Sequence, residues 1–160
     1  MNSPHHTAHL LCADALVGQT VYPWETGEMV EEVQELLRAH GLPVRVDGNF
    51  GYRTENEVRR FQRQHQLRVD GIVGPQTWVT LKATVPAGKR ALRKGRTGMD
   101  VYELQGLLRV QGYSIQRTGI FDEETESSLL DFQKRHKLRL TGIVDVTTWT
   151  LLRGGFLKPS

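Results

Sequence analysis

The residues of this chain that carry chemistry are its histidines, its carboxylates and one thiol, and a catalyst would need some of them held within reach of one another. His5 and His9 are spaced closely enough to share a metal ion, but they lie in a start, MNSPHHTAHLLCADALVGQT, with no periodicity to fix the two rings. Cys12 is the single cysteine, so neither an internal disulfide nor a thiolate metal cluster is available. No G-x-S-x-G elbow is present. His65 and His136 each lack a second histidine and a carboxylate at ligand spacing. Glu55 and Glu126 fall in the first turn of expected helices, where a carboxylate complements the helix dipole. They belong to separate segments, whereas a glycosidase converges two carboxylates on one cleft. The pattern predicts a chain without catalytic residues, metal site or cofactor.

Composition narrows the class. The 160 residues are 38% hydrophobic and 24% charged, the mixture of a globular protein, and allow one ordinary domain or two small ones. No apolar run approaches the roughly 20 residues of a membrane helix, so no membrane insertion is expected. A net charge of +3 suits an anionic partner but is too weak to point to nucleic acid, and none is expected as a partner. The HLLCAD stretch lacks the small residue, basic n-region and long apolar h-region of an export signal. Synthesis in the cytoplasm without a standard signal peptide is therefore the expectation.

The elements that position these residues come in two sets. FQRQHQLRVDGIVGPQTW at 61–78 returns as FQKRHKLRLTGIVDVTTW at 132–149. A shift of 71 aligns 30–81 with 101–152 without a gap, with 22 of 52 positions identical. Such self-similarity defines the fold before any local reading, and with two long copies it predicts two tandem domains.

Each copy predicts three helices, a mainly α architecture. Val30, Val33, Leu36 and Leu37 share a face in the first, as Val101, Leu104, Leu107 and Leu108 do in the second, with Gly41 and Gly112 as stops. Asp47-Gly48 or Thr118-Gly119 then makes a turn, and a second helix begins near Tyr52 or Glu123. Another DG or TG turn precedes a short helix bearing Trp78 or Trp149, both expected in the core. Gly51 and Gly74 become Asp122 and Asp145 where helices start, which exchanges one N-cap for another, and Pro75 suits a first helical position. The expected division is an N-terminal arm at 1–21, domains at 22–84 and 92–155, and a linker at 85–91. Five of the eight residues from 89 to 96 are Lys or Arg, and this run is expected to be solvated.

The ordered elements Val33-Gln34, Leu37, Gly41, Asp47-Gly48, Phe50-Gly51, Thr54, Val58, Phe61-Gln62, Leu67, Asp70-Gly71, Gly74-Pro75, Thr77-Trp78 and Leu81 resemble the peptidoglycan-binding domain family. The second copy keeps Leu104-Gln105, Leu108, Gly112-Tyr113, Gly119, Phe121, Thr125, Phe132-Gln133, Leu138, Gly142, Thr148-Trp149 and Leu152. The resemblance implies two three-helix modules and a non-catalytic protein that binds bacterial cell wall. Its partner would be peptidoglycan, met through Asp47, Gly48, Arg53, Thr54, Gln62, Arg63, Asp70 and Gly71. Replacement of Asp47 and Asp70 by Thr118 and Thr141 implies weaker binding by the second copy. With no export signal, the expected setting is either the cell wall or an assembled particle, the latter adding subunits of a phage-tail-like or contractile injection assembly as partners. The alternative is a structural or adaptor subunit that reuses the fold without wall affinity.

Overall fold

The structure, a computed structural model, describes residues 16–155. Within the described residues, six helices form two successive triplets: α1 (Glu28–Ala39), α2 (Tyr52–Gln64) and α3 (Pro75–Ala83), then α4 (Met99–Val110), α5 (Glu123–Arg135) and α6 (Val146–Leu152). Each triplet closes on its own core. Val30, Val33, Leu36, Leu37, Phe50, Val58, Phe61 and Trp78 fill the first; Val101, Leu104, Leu108, Phe121, Leu129, Phe132 and Trp149 fill the second. Both expected tryptophans are thus core residues. The caps also follow the sequence: Asp122 and Asp145 accept the N–H groups of Thr125 and Thr148 at 2.9 and 2.8 Å, while Gly51 and Gly74 cap without a side chain.

The described residues contain no extended strand, only isolated antiparallel bridges. The segment entering each module laces its two turns together. Val21 pairs with Val73 and Thr26 with Asn49; Leu92 pairs with Val144 and Thr97 with Ile120. The repeat therefore reaches further upstream than 30, with Val21, Thr26 and Gly27 matching Leu92, Thr97 and Gly98. The end of the expected arm belongs to this lacing too. Leu16 is buried, Gly18 lies under the Trp78 ring, and the Gln19 carbonyl accepts the Trp78 indole N–H at 2.8 Å. Residues 1–15 lie outside the described part of the chain, His5, His9 and Cys12 among them.

Turns without sheets need another way to satisfy their backbone groups. Here a buried glutamine supplies it. Gln34, on α1, accepts the N–H groups of both Asp47 and Gly48 at 2.9 Å through Oε1. Its Nε2 donates to Asp47 Oδ1, the Asn49 carbonyl and Thr54 Oγ1 at 3.0–3.1 Å. Gln62 on α2 does the same for Asp70, Gly71, Ile72 and Thr77, and Gln105 on α4 for Thr118, Gly119, Ile120 and Thr125. Gln133 on α5 closes the set, accepting from Gly142 and donating to the Ile143 carbonyl. Four turns of one pattern, [DT]-G-x-[FV]-[GD]-x-x-T, are each clamped to the preceding helix. Gly48, Gly71, Gly119 and Gly142 all have φ between 67 and 77°, the left-handed region that the turn demands of this position.

The basic run corrects a sequence expectation. Lys89, Arg93 and Lys94 are exposed, but Arg90 and Arg96 are buried between the modules. Arg90 makes a two-pronged pair with Asp100, at 2.7 and 3.1 Å, and stands 3.8 Å from Glu32 of α1. Lys82, at the end of α3, lies 3.4 Å from the same Glu32 and donates to Thr97 Oγ1 at 2.9 Å. Arg96 grips Glu35 with two bonds of 3.0 and 3.1 Å. A basic stretch reads as solvated because its partners, 61 residues away for Arg96, are invisible to local pattern.

Two stability outcomes follow from these contacts. Gln34→Ala strands two turn N–H groups and should cost about 3 kcal/mol in urea unfolding, whereas Asp47→Thr, which copies the second module, should stay within about 1 kcal/mol. Arg90→Met leaves the carboxylate of Asp100 buried without its cation and should cost about 3–5 kcal/mol in the same measurement.

Candidate functional site

The eight expected contact residues divide into two groups. Gly48, Thr54, Gln62 and Gly71 are buried, and their polar groups are committed to the glutamine clamps. Gln62 and Thr54, expected to meet a ligand, instead organise the turns that other residues present. Asp47, Arg53 and Arg63 are exposed and Asp70 is half-buried. Asp47, Arg53 and Thr54 come together around a cleft of about 480 Å³ with Pro43, Asn49 and Tyr52. Asp70 borders a smaller cleft, about 190 Å³, with Arg68, Pro75 and Thr77. Arg63 lines neither.

The Asp47 carboxyl is held below its ordinary value, chiefly because its oxygen accepts the Asn49 N–H, with the Gln34 amide adding to the effect. It stays an anion at neutral pH. Thr118 takes over this role with a neutral hydroxyl: its Oγ1 accepts from Gln105 at 3.2 Å and from the Ile120 N–H at 3.1 Å. The aspartates therefore shape turns, and the expected weakening of the second copy loses that motive. What differs between modules is the cleft rim. Tyr52 and Arg53 stand where the second module has Glu123 and Glu124.

A further surface went unread in the sequence. Residues 22–25 form a turn closed by the Glu25 N–H on the Tyr22 carbonyl at 3.2 Å, with Pro23 second and Trp24 third at φ 75°. Pro followed by a positive φ is the type II pattern, which asks for glycine at the third position. The second module has Gly95 there, at φ 95°. An aromatic residue in the left-handed region is strained by about 1–2 kcal/mol. Trp24 is also 75% exposed, with Tyr22 at 51% in the same turn and Tyr52 at 69% at the start of α2. The Trp24 N–H donates to the Phe50 carbonyl at 2.7 Å, which ties this turn to the start of α2. Carrying the 71-residue shift four positions upstream of α1 sets Trp24 against Gly95.

The family model for the peptidoglycan binding domain matches residues 26–81 and again 97–152. The chain belongs to this family. The spore cortex-lytic enzyme of Halalkalibacterium halodurans is 35% identical over 89 residues, covering 52% of this chain and 27% of that protein. The zinc D-Ala-D-Ala carboxypeptidase of Streptomyces albus G is 38% identical over 64 residues, covering 37% of this chain and 24% of its own length. Among solved structures, the SleB N-terminal domain aligns at a TM-score of 0.42 and 28% identity, over 43% of this chain and 96% of that one. The chain thus spans about a quarter of the curated relatives named. Two peptidoglycan-binding modules, and the ion pairs between them, make up the described residues.

Histidines in these modules serve packing. His65 and His136 cap α2 and α5 and lie on Phe61 and Phe132 at ring distances of 4.1 and 4.2 Å. His40 contacts Phe61 and bonds the Leu81 carbonyl at 3.0 Å. Burial disfavours the imidazolium of His40, and of His65, so both titrate below the ordinary 6.5; the Leu81 carbonyl only partly offsets this for His40. A folded-state value below the unfolded one means that the unfolded chain takes up protons first. Stability should therefore be full above pH 6.5 and decline as pH falls below it. His40→Gln, the residue found at the equivalent position 111, should flatten that decline between pH 7.5 and 5.5 in urea titrations.

Proposed function

We propose that this chain is a non-catalytic peptidoglycan-binding unit acting at the bacterial cell wall, with the first module as the principal contact. The observation that carries the reading is the family match in tandem, with both modules keeping their cores and turns. Stem peptides of the wall offer carboxylates and amides. Arg53 can pair with a carboxylate and Asp47 can accept an amide N–H from one cleft. Gly48, Thr54, Gln62 and Gly71 contribute by holding that cleft in shape, and Arg63 and Asp70 contribute separate exposed charges. In the second module, Glu123 and Glu124 would repel stem carboxylates at the same rim. A setting within a phage-tail-like or contractile injection particle, and the adaptor alternative, both rest on the residues before Leu16, which lie outside the described part of the chain.

Cosedimentation with purified sacculi tests the reading. The chain should pellet with them, and Arg53→Glu, at an exposed position that leaves the fold intact, should weaken retention about tenfold at low salt. Glu124→Arg in the second module should leave retention equal or stronger. Failure of the unaltered chain to pellet would return the protein to the adaptor class.

A further inference from the structure

We propose that the turn carrying Trp24, together with Tyr22 and Tyr52, is a stacking platform for the glycan strand of the wall, a polymer of N-acetylated hexosamines. The inference rests on the wall-binding reading and adds to it a second class of contact, to sugar rather than to stem peptide. Two adjacent backbone segments build the platform. Residues 22–25 supply Tyr22 and Trp24, and the Trp24 N–H to Phe50 carbonyl bond holds them beside the segment that leads into Tyr52. In the second module the side chains of Lys94 and Glu123, equivalent to Pro23 and Tyr52, bridge the same two segments at 3.0 Å.

Three features point to a saccharide. Exposed tryptophan and tyrosine rings present flat apolar faces with a polar edge, and hexosamine rings present a matching apolar C–H face between hydroxyls. The adjoining cleft, about 730 Å³, is lined by Gln19, Thr20 and Thr26, neutral groups suited to hydroxyls and acetamides. Its one carboxylate, Glu25, accepts the Tyr22 N–H at 3.0 Å, and no cation lines the cleft to favour an anionic ligand. The strain is the independent sign. Glycine meets the turn's demand at position 95, and the first module keeps a tryptophan in the same conformation although nothing in its core needs the ring. Residues held in sparsely populated backbone regions gather at functional sites.

Trp24 also reports on itself, because Trp78 and Trp149 are buried. Glycan strands freed of stem peptides, and N-acetylglucosamine tetramers, should shift the full chain's tryptophan emission to the blue and shield it from iodide. Trp24→Gly should abolish both effects and lower affinity for sacculi by about tenfold, the loss common for an aromatic anchor. Its melting temperature should be unchanged or higher, since glycine relieves the turn, which separates lost binding from lost folding. Trp24→Tyr should retain part of the affinity. Sacculi bound equally by Trp24→Gly and the unaltered chain would overturn the platform while leaving the wall reading intact. An emission shift with stem peptides and none with glycan strands would reassign the surface to peptide and equally overturn it. No binding of sacculi by the unaltered chain would remove both proposals.

Discussion

Everything in each module hangs on a glutamine whose side chain never reaches solvent. A three-helix unit of about sixty residues has a small core and marginal stability, and its long connections cannot borrow hydrogen bonds from a sheet. Gln34, Gln62, Gln105 and Gln133 each replace that missing ladder with one carboxamide. The oxygen collects the turn N–H groups, and the nitrogen reaches the turn's side chain, a carbonyl beyond it and the threonine of the next helix. One residue thereby fixes where a helix ends, how the chain reverses and where the next helix starts. It also explains why aspartate and threonine interchange at the turns. The clamp needs an acceptor oxygen there, and a hydroxyl provides one as well as a carboxylate does.

The clamp also shows what could be read from sequence and what could not. The two modules, their six helices and the aspartate caps follow from apolar spacing and from cap chemistry, both local. Gln62 is the harder case. A polar residue close to an Asp-Gly turn reads as a candidate ligand contact, because the partners that engage it lie 8 to 15 residues on. The available clue was the turn phrase itself, written four times at fixed register with threonine as its last letter. Arg90 and Arg96 were read as solvated because a run of cations gives no hint of carboxylates on a distant helix. Trp24 lies upstream of the strongly matching stretch that begins at Val30, where the repeat is faint.

Between the modules the logic changes from repetition to asymmetry. Glu35, Arg96 and Asp100 have Gly106, Glu25 and Met29 as their repeat equivalents, so the joining surface is not a copy of anything within either unit. Lys82 shows the cost and the compensation. Burial disfavours its charge, while Glu32 and the face of Trp78, 4.6 Å from the ammonium, favour it. Such a cluster is a weak source of net stability but a strong constraint on geometry, since each charge is acceptable only when its partners are in place. Two modules held in this way present their surfaces at one fixed spacing. For a polymeric ligand that matters, because a second contact made at the right distance adds to the first without a new entropy cost of alignment.

The two modules differ at more than half of their aligned positions, the candidate binding surface among them. Their helices, clamps and turns correspond position by position, while side chains at the joint and on the surface diverge. At the rim of α2 that divergence turned an aromatic and a cation into two carboxylates, Glu123 and Glu124. At the entering turn it went against the backbone's own preference, with Trp24 in a conformation that suits Gly95. A position where the fold alone would favour glycine, and where the larger residue contributes nothing to the core, is one where stability has been exchanged for surface. That exchange is open to a tandem protein in particular. Under the platform proposal the strained turn sits in the first module alone, because Gly95 relieves the equivalent turn of the second.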